Sequence, residues 1–131
     1  MSDEARKTTR NEYMSGPPDA YEMPRYDFSG KVAWITGASQ GVGRHTAIAL
    51  ARCGATAVCV ARSDFGQETA DMINADAKCR SAGGKGVFHR ADISIEKEVK
   101  ASIDRAVEEH GALHFGINNA GHSGYNGLVE D

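Results

Sequence analysis

The chain has 131 residues, with 15 lysines and arginines against 18 aspartates and glutamates, which gives a formal net charge of −3 at pH 7. This length suits a single domain, and a weakly acidic charge gives no sign of a surface for nucleic acid or an anionic membrane. A hydrophobic content of 40% excludes a wholly disordered chain. Apolar runs such as residues 55–61 are far too short to cross a bilayer, so we expect neither nucleic acid nor a membrane as a partner.

The cysteines and the first residues indicate a reducing compartment. Cys53, Cys59 and Cys79 are an odd number of thiols without the spacing of a metal or redox motif. The chain shows no N-terminal apolar segment typical of a secretory signal, and its early acidic residues argue against a mitochondrial targeting sequence. We therefore predict a cytoplasmic protein with no metal site.

Residues 1–27 differ in composition from the rest of the chain. They contain all three prolines and many charged residues, and they show no apolar periodicity. We predict a flexible tail over residues 1–27, followed by one folded domain over residues 28–131.

Apolar runs and helical patterns alternate through this domain. In chain order, the sequence predicts a strand at 31–36, a glycine-rich turn at 37–43, a helix ending at Gly54, a strand at 55–61, a long helix capped by Ser63 and ending at Gly83, a strand at 85–91, a helix capped by Ser94 and ending at Gly111, and a strand at 113–118. The last stretch, 119–131, has a loop-like composition.

Each predicted helix has an apolar side that we expect to be buried. These sides contain Val42, Thr46, Ala49, Leu50 and Cys53 in the first helix, Phe65, Met72, Ile73 and Ala77 in the second, and Ile95, Val99, Ile103, Ala106 and Val107 in the third.

Alternation of strands and helices predicts an α/β fold with a Rossmann-like, doubly wound parallel sheet. We expect about four strands in the order 3-2-1-4, with the first two helices on one face and the third on the other. The connections then reverse direction between strands one and four. Ligands of such sheets bind at that point, outside the carboxyl ends of the strands.

The glycine-rich turn after the first strand suits a phosphate group. Gly37 would form the tight turn, and Gly41 and Gly43 would let the backbone approach a pyrophosphate without a Cβ atom in the way. Amide groups at the helix start, near Val42, would face the negative charge. A plain glycine-rich turn is the alternative, since three glycines alone are weak evidence.

The end of the second strand favours NADP over NAD. NAD sites of this kind place an acid there to bind the ribose 2′-hydroxyl, whereas here Arg62 follows the strand and offers a guanidinium to a 2′-phosphate. Ser39 would add a hydroxyl donor. The alternative is that Arg62 is simply a solvated surface residue.

Three motifs together resemble the short-chain dehydrogenase/reductase family. They are Thr-Gly-Ala-Ser-Gln-Gly-Val-Gly at 36–43, Ala-Asp-Ile at 91–93 and Asn-Asn-Ala-Gly at 118–121. The resemblance implies an NADP-binding Rossmann-like domain over 28–131, incomplete at its C-terminus. It implies dinucleotide contacts at Gly37, Ser39, Gln40, Gly41, Val42, Gly43, Arg62, Asp92, Ile93, Asn118, Ala120 and Gly121.

Two of these positions also have structural interpretations. Asp92 would meet the adenine amino group, but aspartate is equally common at a helix entry. Asn118 would line the ribose, but the Asn-Asn-Ala-Gly stretch also suits a turn. Arg44 and His45 follow the glycine turn and are interpreted as a solvated helix face.

The catalytic residues of the family do not match this sequence. They are a serine and a Tyr-x-x-x-Lys pair downstream of Asn-Asn-Ala-Gly, and only ten residues follow Gly121. Tyr125 is followed at that spacing by Val129. We therefore expect no catalytic residue in this chain and leave open whether it acts as an enzyme.

Three functions remain open. The first is the N-terminal, cofactor-binding part of an NAD(P)-dependent oxidoreductase, whose completed chain would act on a small carbonyl or alcohol and could form a homo-oligomer. The second is a truncated, non-catalytic nucleotide binder or a partner of a full-length relative. The third is a binder of another phosphate ligand.

Overall fold

The structure, a computed structural model, describes residues 25–122. Strands and helices alternate along them. In chain order they are β1 (Val32–Thr36), α1 (Gly41–Arg52), β2 (Thr56–Ala61), α2 (Phe65–Ala75), α3 (Ala77–Ala82), β3 (Lys85–Arg90), α4 (Glu96–His110) and β4 (Phe115–Ile117). Residues 1–24, most of the predicted tail, and residues 123–131, with Tyr125, lie outside the described residues.

The four strands form one parallel sheet in the order β3-β2-β1-β4. Ile35 of β1 is in register with Cys59 of β2 on one side and with Ile117 of β4 on the other. The predicted Rossmann-like order is therefore confirmed. β4 is shorter than the predicted strand at 113–118.

The two faces of the sheet carry separate cores. Successive side chains of a strand point to opposite faces, so Ala33 and Ile35 of β1 pack with α1, α2 and α3, whereas Val32 and Trp34 pack with α4. The first two predicted helices therefore cover one face and the third covers the other, as the sequence predicts. Because all the strands are parallel, their carboxyl ends lie at the same edge of the sheet.

The predicted buried side of the first helix is wrong at Val42 and Ala49, although Leu50 packs against the core. Val42 is 73% exposed and Ala49 is exposed, whereas the buried positions are Gly43, Ala47 and Ala51. These three small residues recur every four positions, along one helix side. Their size lets the backbone of α1 lie close to the sheet, which larger side chains would prevent.

The predicted long second helix is two helices. Asp76 interrupts it with an extended backbone, and its carboxylate accepts the backbone N–H of Cys79 at 2.9 Å as the N-cap of α3. Phe65 and Met72, predicted to be buried, are exposed. The break places Ala77 on a different helix from Phe65, Met72 and Ile73, so these four residues do not form one continuous helix side.

Neither predicted serine cap is present. α2 begins after Asp64 and α4 begins after Ile95, and neither end has a side-chain cap bond. Ser94 instead donates its hydroxyl to Asp92 at 2.6 Å, before the helix begins. On α4, the predicted buried residue Val107 is 42% exposed.

Among residues 25–122, every helix is too short or too polar to span a bilayer.

Candidate functional site

The carboxyl end of β1 is fastened to the segment after β4 by one hydroxyl. Oγ1 of Thr36 accepts the backbone N–H groups of Asn119 and Ala120, each at 3.0 Å. The same hydroxyl donates to the carbonyl of Ile117 at 3.4 Å. A threonine hydroxyl has one donor and two acceptor lone pairs, so these contacts use its full capacity. Thr36 therefore sets the course of the chain after β4.

The glycine turn and Asn119 approach each other so closely that side chains are excluded. A Cβ atom on Gly43 would lie 2.2 Å from the carbonyl oxygen of Gly37 and 2.7 Å from Nδ2 of Asn119. A Cβ on Gly37 would lie 2.9 Å from Cα of Ala120. We call Thr36, Gly37, Gly43, Asn119 and Ala120 the loop seam.

Asn119 is a site residue that the sequence prediction missed. Its side-chain amide Nδ2 donates to the carbonyls of Thr36 at 3.2 Å and Gly37 at 3.4 Å. These two hydrogen bonds hold the backbone at the start of the glycine turn. Asn118, which was predicted to contact the cofactor, is exposed and does not line the cavity described next. Because the two asparagines are adjacent and identical, the sequence does not show which of them bonds to the glycine turn.

A cavity of about 630 Å³ lies at the carboxyl edge of the sheet, within the usual size range of small-molecule sites. Residues at or just after the carboxyl ends of all four strands line it. They are Gly37, Gln40, Val60, Ala61, Arg62, Ala91, Asp92, Ile93, Ser94, Asn119, Ala120, Gly121 and His122. Of the predicted cofactor contacts, those that do not line it are Ser39, Gly41, Val42, Gly43 and Asn118.

The start of α1 is able to hold an anion. Gln40 precedes the helix in an extended conformation, and its side chain makes no cap bond to the first turn. The first N–H groups of a helix have no partner within the helix, and α1 has no acidic residue in its first turn. With Gln40 on the cavity wall, these amides and the positive helix end favour a phosphate there.

Asp92 and Arg62 bring opposite charges to the cavity. Oδ1 of Asp92 accepts the backbone N–H of Ser94 at 2.9 Å and its hydroxyl at 2.6 Å. These bonds lower the pKa of Asp92, and the positive charge of Arg62 lowers it further. Asp92 therefore stays ionised at neutral pH, and it forms the turn before α4 that was the structural alternative for this residue.

A match to a known family covers this whole arrangement. Residues 31–130 match the family described as short chain dehydrogenase. The chain belongs to the short-chain dehydrogenase family.

Curated relatives agree with this assignment. The chain is 38% identical over 104 residues to a 3beta-hydroxysteroid dehydrogenase of Mediterraneibacter gnavus, which covers 79% of the chain and 36% of that relative. It is 39% identical over 94 residues to a cyclohexanol dehydrogenase of an Acinetobacter species, over 72% of the chain and 36% of the relative. The chain thus spans about a third of the length of the curated relatives it matches.

Solved structures of two oxidoreductases share the fold. A hydroxysteroid dehydrogenase from Escherichia coli matches with a TM-score of 0.67 and 31% identity, over 80% of this chain and 43% of that one. A metagenomic short-chain oxidoreductase in complex with NADP matches with a TM-score of 0.67 and 30% identity, over 78% of this chain and 44% of that one.

A second set of hydrogen bonds, which the sequence did not predict, holds the glycine turn. Oγ1 of Thr69 donates to the carbonyl of Ala38 at 2.6 Å, and Nε of Arg44 donates to Oγ1 of Thr69 at 2.9 Å. The guanidinium of Arg44 also pairs with Glu68 at 3.5 Å. Arg44 is therefore not a simple solvated residue, because it ties α1 to α2 behind the turn.

Cation-binding clusters of histidine, cysteine and acidic residues are absent from residues 25–122. Nδ1 of His114 accepts the backbone N–H of Val32 at 2.9 Å, so this histidine has a structural contact at the start of β1.

Proposed function

We propose that this chain is the cofactor-binding part of an NAD(P)-dependent oxidoreductase, and that its cofactor is NADP. The observation that carries the proposal is the loop seam beside the cavity. Its glycines place backbone without side chains next to the uncapped start of α1, beside the cavity. Such a cradle accepts a pyrophosphate, and a Cβ atom at Gly43 would destroy it.

In this proposal, different residues bind different parts of the dinucleotide. The glycine turn, with Gln40, Gly41 and Val42, holds the pyrophosphate. Asp92 and Ile93 hold the adenine. Asn118, Ala120 and Gly121 lie along the ribose. Of these residues, Gln40, Asp92, Ile93, Ala120 and Gly121 line the cavity.

The preference for NADP depends on Arg62, with Ser39 as a second donor. Arg62 lines the cavity directly after β2, where an acid would select NAD. Its guanidinium can pair with a 2′-phosphate through charge-assisted hydrogen bonds. The structurally similar oxidoreductase in complex with NADP supports the same choice.

Bound nicotinamide would supply or accept a hydride, and the substrate would be a small carbonyl or alcohol. Tyrosine followed four positions later by lysine occurs nowhere in this sequence. We therefore expect the chain by itself to bind the dinucleotide without turning over substrate. We also propose that the oxidoreductase is cytoplasmic and able to form a homo-oligomer.

The test is a calorimetric titration of the chain and its Arg62→Ala variant with NADP⁺ and NAD⁺. We expect the substitution to weaken NADP⁺ binding by about 10- to 100-fold, as the loss of a charged hydrogen bond does, and to change NAD⁺ binding by less than about twofold. Arg80→Ala is the matched control, because Arg80 is an exposed arginine of α3 away from the cavity lining. Equal losses for the two ligands would contradict the proposed choice of NADP.

A further inference from the structure

A second arginine lies beside Arg62 and has no role in the proposed function. Arg90 ends β3, and its Nη1 donates to the backbone carbonyl of Arg62 at 3.0 Å. Its Nη2 pairs with Oδ1 of Asp64. We call Arg62, Asp64, Arg90 and Asp92 the charged rim. Arg90 thus connects the end of β3 to the loop after β2 at two points.

The guanidinium of Arg90 lies over an aromatic ring. The guanidinium carbon of Arg90 lies 5.9 Å from the centre of the Phe88 ring, within the range of a cation–π contact. Phe88 in turn packs against the first turn of α2, where a Cβ on Gly66 would lie 2.4 Å from Cε2 of the ring. Arg90 is therefore held between a fixed ring and the loop that carries Arg62.

These contacts contribute little to folding. The side chains of Arg90 and Asp64 are 55% and 85% exposed, and exposed ion pairs add little to stability because water and salt screen them. The pairing of Arg90 with Asp64 has a larger effect on how a charged ligand binds than on folding. Asp64 lies two residues after Arg62, so an unpaired carboxylate there would repel the phosphate that Arg62 attracts.

The other acid of the charged rim is already engaged. Both hydrogen bonds from Ser94 are made to Asp92, so its carboxylate is occupied without help from Arg90. Asp64 makes no cap bond to the start of α2, and the partner that the structure gives its carboxylate is Arg90. The charge balance at the loop after β2 therefore depends on Arg90.

We propose that Arg90 is a positioning residue for cofactor choice, which pairs with Asp64 so that this carboxylate does not oppose the attraction of Arg62 for a ligand 2′-phosphate. This inference rests on the proposed function, since it concerns the same phosphate. Arg90 acts through Asp64 and does not itself bind the ligand, because its two terminal nitrogens are used by Arg62 and Asp64.

The test measures the ratio of NAD⁺ to NADP⁺ dissociation constants in the full chain. Arg90→Ala lowers this preference by about fivefold, the effect of one exposed carboxylate left unpaired near a phosphate, with NAD⁺ binding unchanged. Adding Asp64→Asn to Arg90→Ala restores the preference to within about twofold of wild type. Arg90→Lys, which keeps the charge, retains most of the preference. Thermal melts of each variant check that the fold is intact.

The outcomes separate this inference from the proposed function. A chain that binds neither ligand, or that shows no preference for NADP⁺, overturns both. If Arg62→Ala removes the preference while Arg90→Ala keeps it, only the role of Arg90 is overturned. If the Arg90→Ala, Asp64→Asn double variant stays as weak as Arg90→Ala, Arg90 contacts the ligand directly and the role assigned to it is wrong.

Discussion

The loop seam and the charged rim lie at the same edge of the sheet, but they are built in opposite ways. The loop seam is made of backbone in close contact, with Thr36 only 2% exposed and fixed by three hydrogen bonds. The charged rim is made of long side chains that project into solvent, such as Arg90 with 55% of its side chain exposed.

The contrast separates the residues that determine stability from those that determine ligand selectivity. Close backbone contact cannot adjust to an added atom, so changes in the loop seam should unfold or loosen the domain. Exposed charges add little to folding but act on a charged ligand. The loop seam should therefore decide whether a dinucleotide binds, and the charged rim should decide which one.

The largest effect is expected from Gly43→Ala. The new Cβ would lie 2.2 Å from the carbonyl oxygen of Gly37, and this clash should lower the free energy of unfolding by about 3 kcal/mol or more. Alanine is a better helix former than glycine by about 1 kcal/mol, which is too little to offset the clash. Urea denaturation followed by circular dichroism measures the difference.

Gly116→Ala is the matched control for that substitution. Gly116 lies in β4, and a Cβ there meets no described atom within 4 Å. Its free energy of unfolding should stay within about 0.5 kcal/mol of wild type, as for ordinary surface changes. A Gly43→Ala variant as stable as Gly116→Ala would mean that the loop seam is not closely packed.

Thr36→Val should have an intermediate effect. Valine keeps the shape but removes the acceptor for the N–H groups of Asn119 and Ala120. Leaving such donors unpaired costs about 1–3 kcal/mol. Hydrogen exchange of these two amides should become faster, while Thr36→Ser, which keeps the hydroxyl, should protect them nearly as well as wild type. Unchanged exchange in the valine variant would contradict the role given to Thr36.

The smallest effects on stability are expected in the charged rim. Arg90→Ala should change the free energy of unfolding by less than about 1 kcal/mol. The preference for NADP⁺ should instead respond to salt, because the Debye length falls from about 10 Å at 0.1 M to about 3 Å at 1 M. Titrations at both salt concentrations should show the ratio of dissociation constants falling several-fold. A ratio independent of salt would argue against charge as its cause.

The fold could be predicted because strands and helices alternate along the whole domain, and each leaves its own pattern in the sequence. Buried strands such as 31–36 and 55–61 stand out as apolar runs, and the glycines mark the turn between the first strand and α1. For the strand order 3-2-1-4, right-handed crossovers then place the first two helices on one face and the third on the other.

Details that depend on packing could not be predicted. The buried side of α1 consists of Gly43, Ala47 and Ala51, whose apolar character is weaker than that of Val42. The break at Asp76 depends on a side chain that bonds to the backbone, which periodicity does not show. The choice of Asn119 over Asn118 depends on which side chain faces the turn, and adjacent residues of an extended chain face opposite ways.

The central claim is that a dinucleotide binds at the carboxyl edge of the sheet, across the loop seam and the charged rim. Its most direct test is a titration of the isotope-labelled chain with NADP⁺, followed by the backbone amide resonances. We predict that the shifts concentrate at residues 37–43, 62–64, 91–94 and 119–122, and that NAD⁺ reproduces them with weaker changes at 62–64. Absence of shifts in these segments, or shifts centred on α3 at the opposite edge, would contradict the claim.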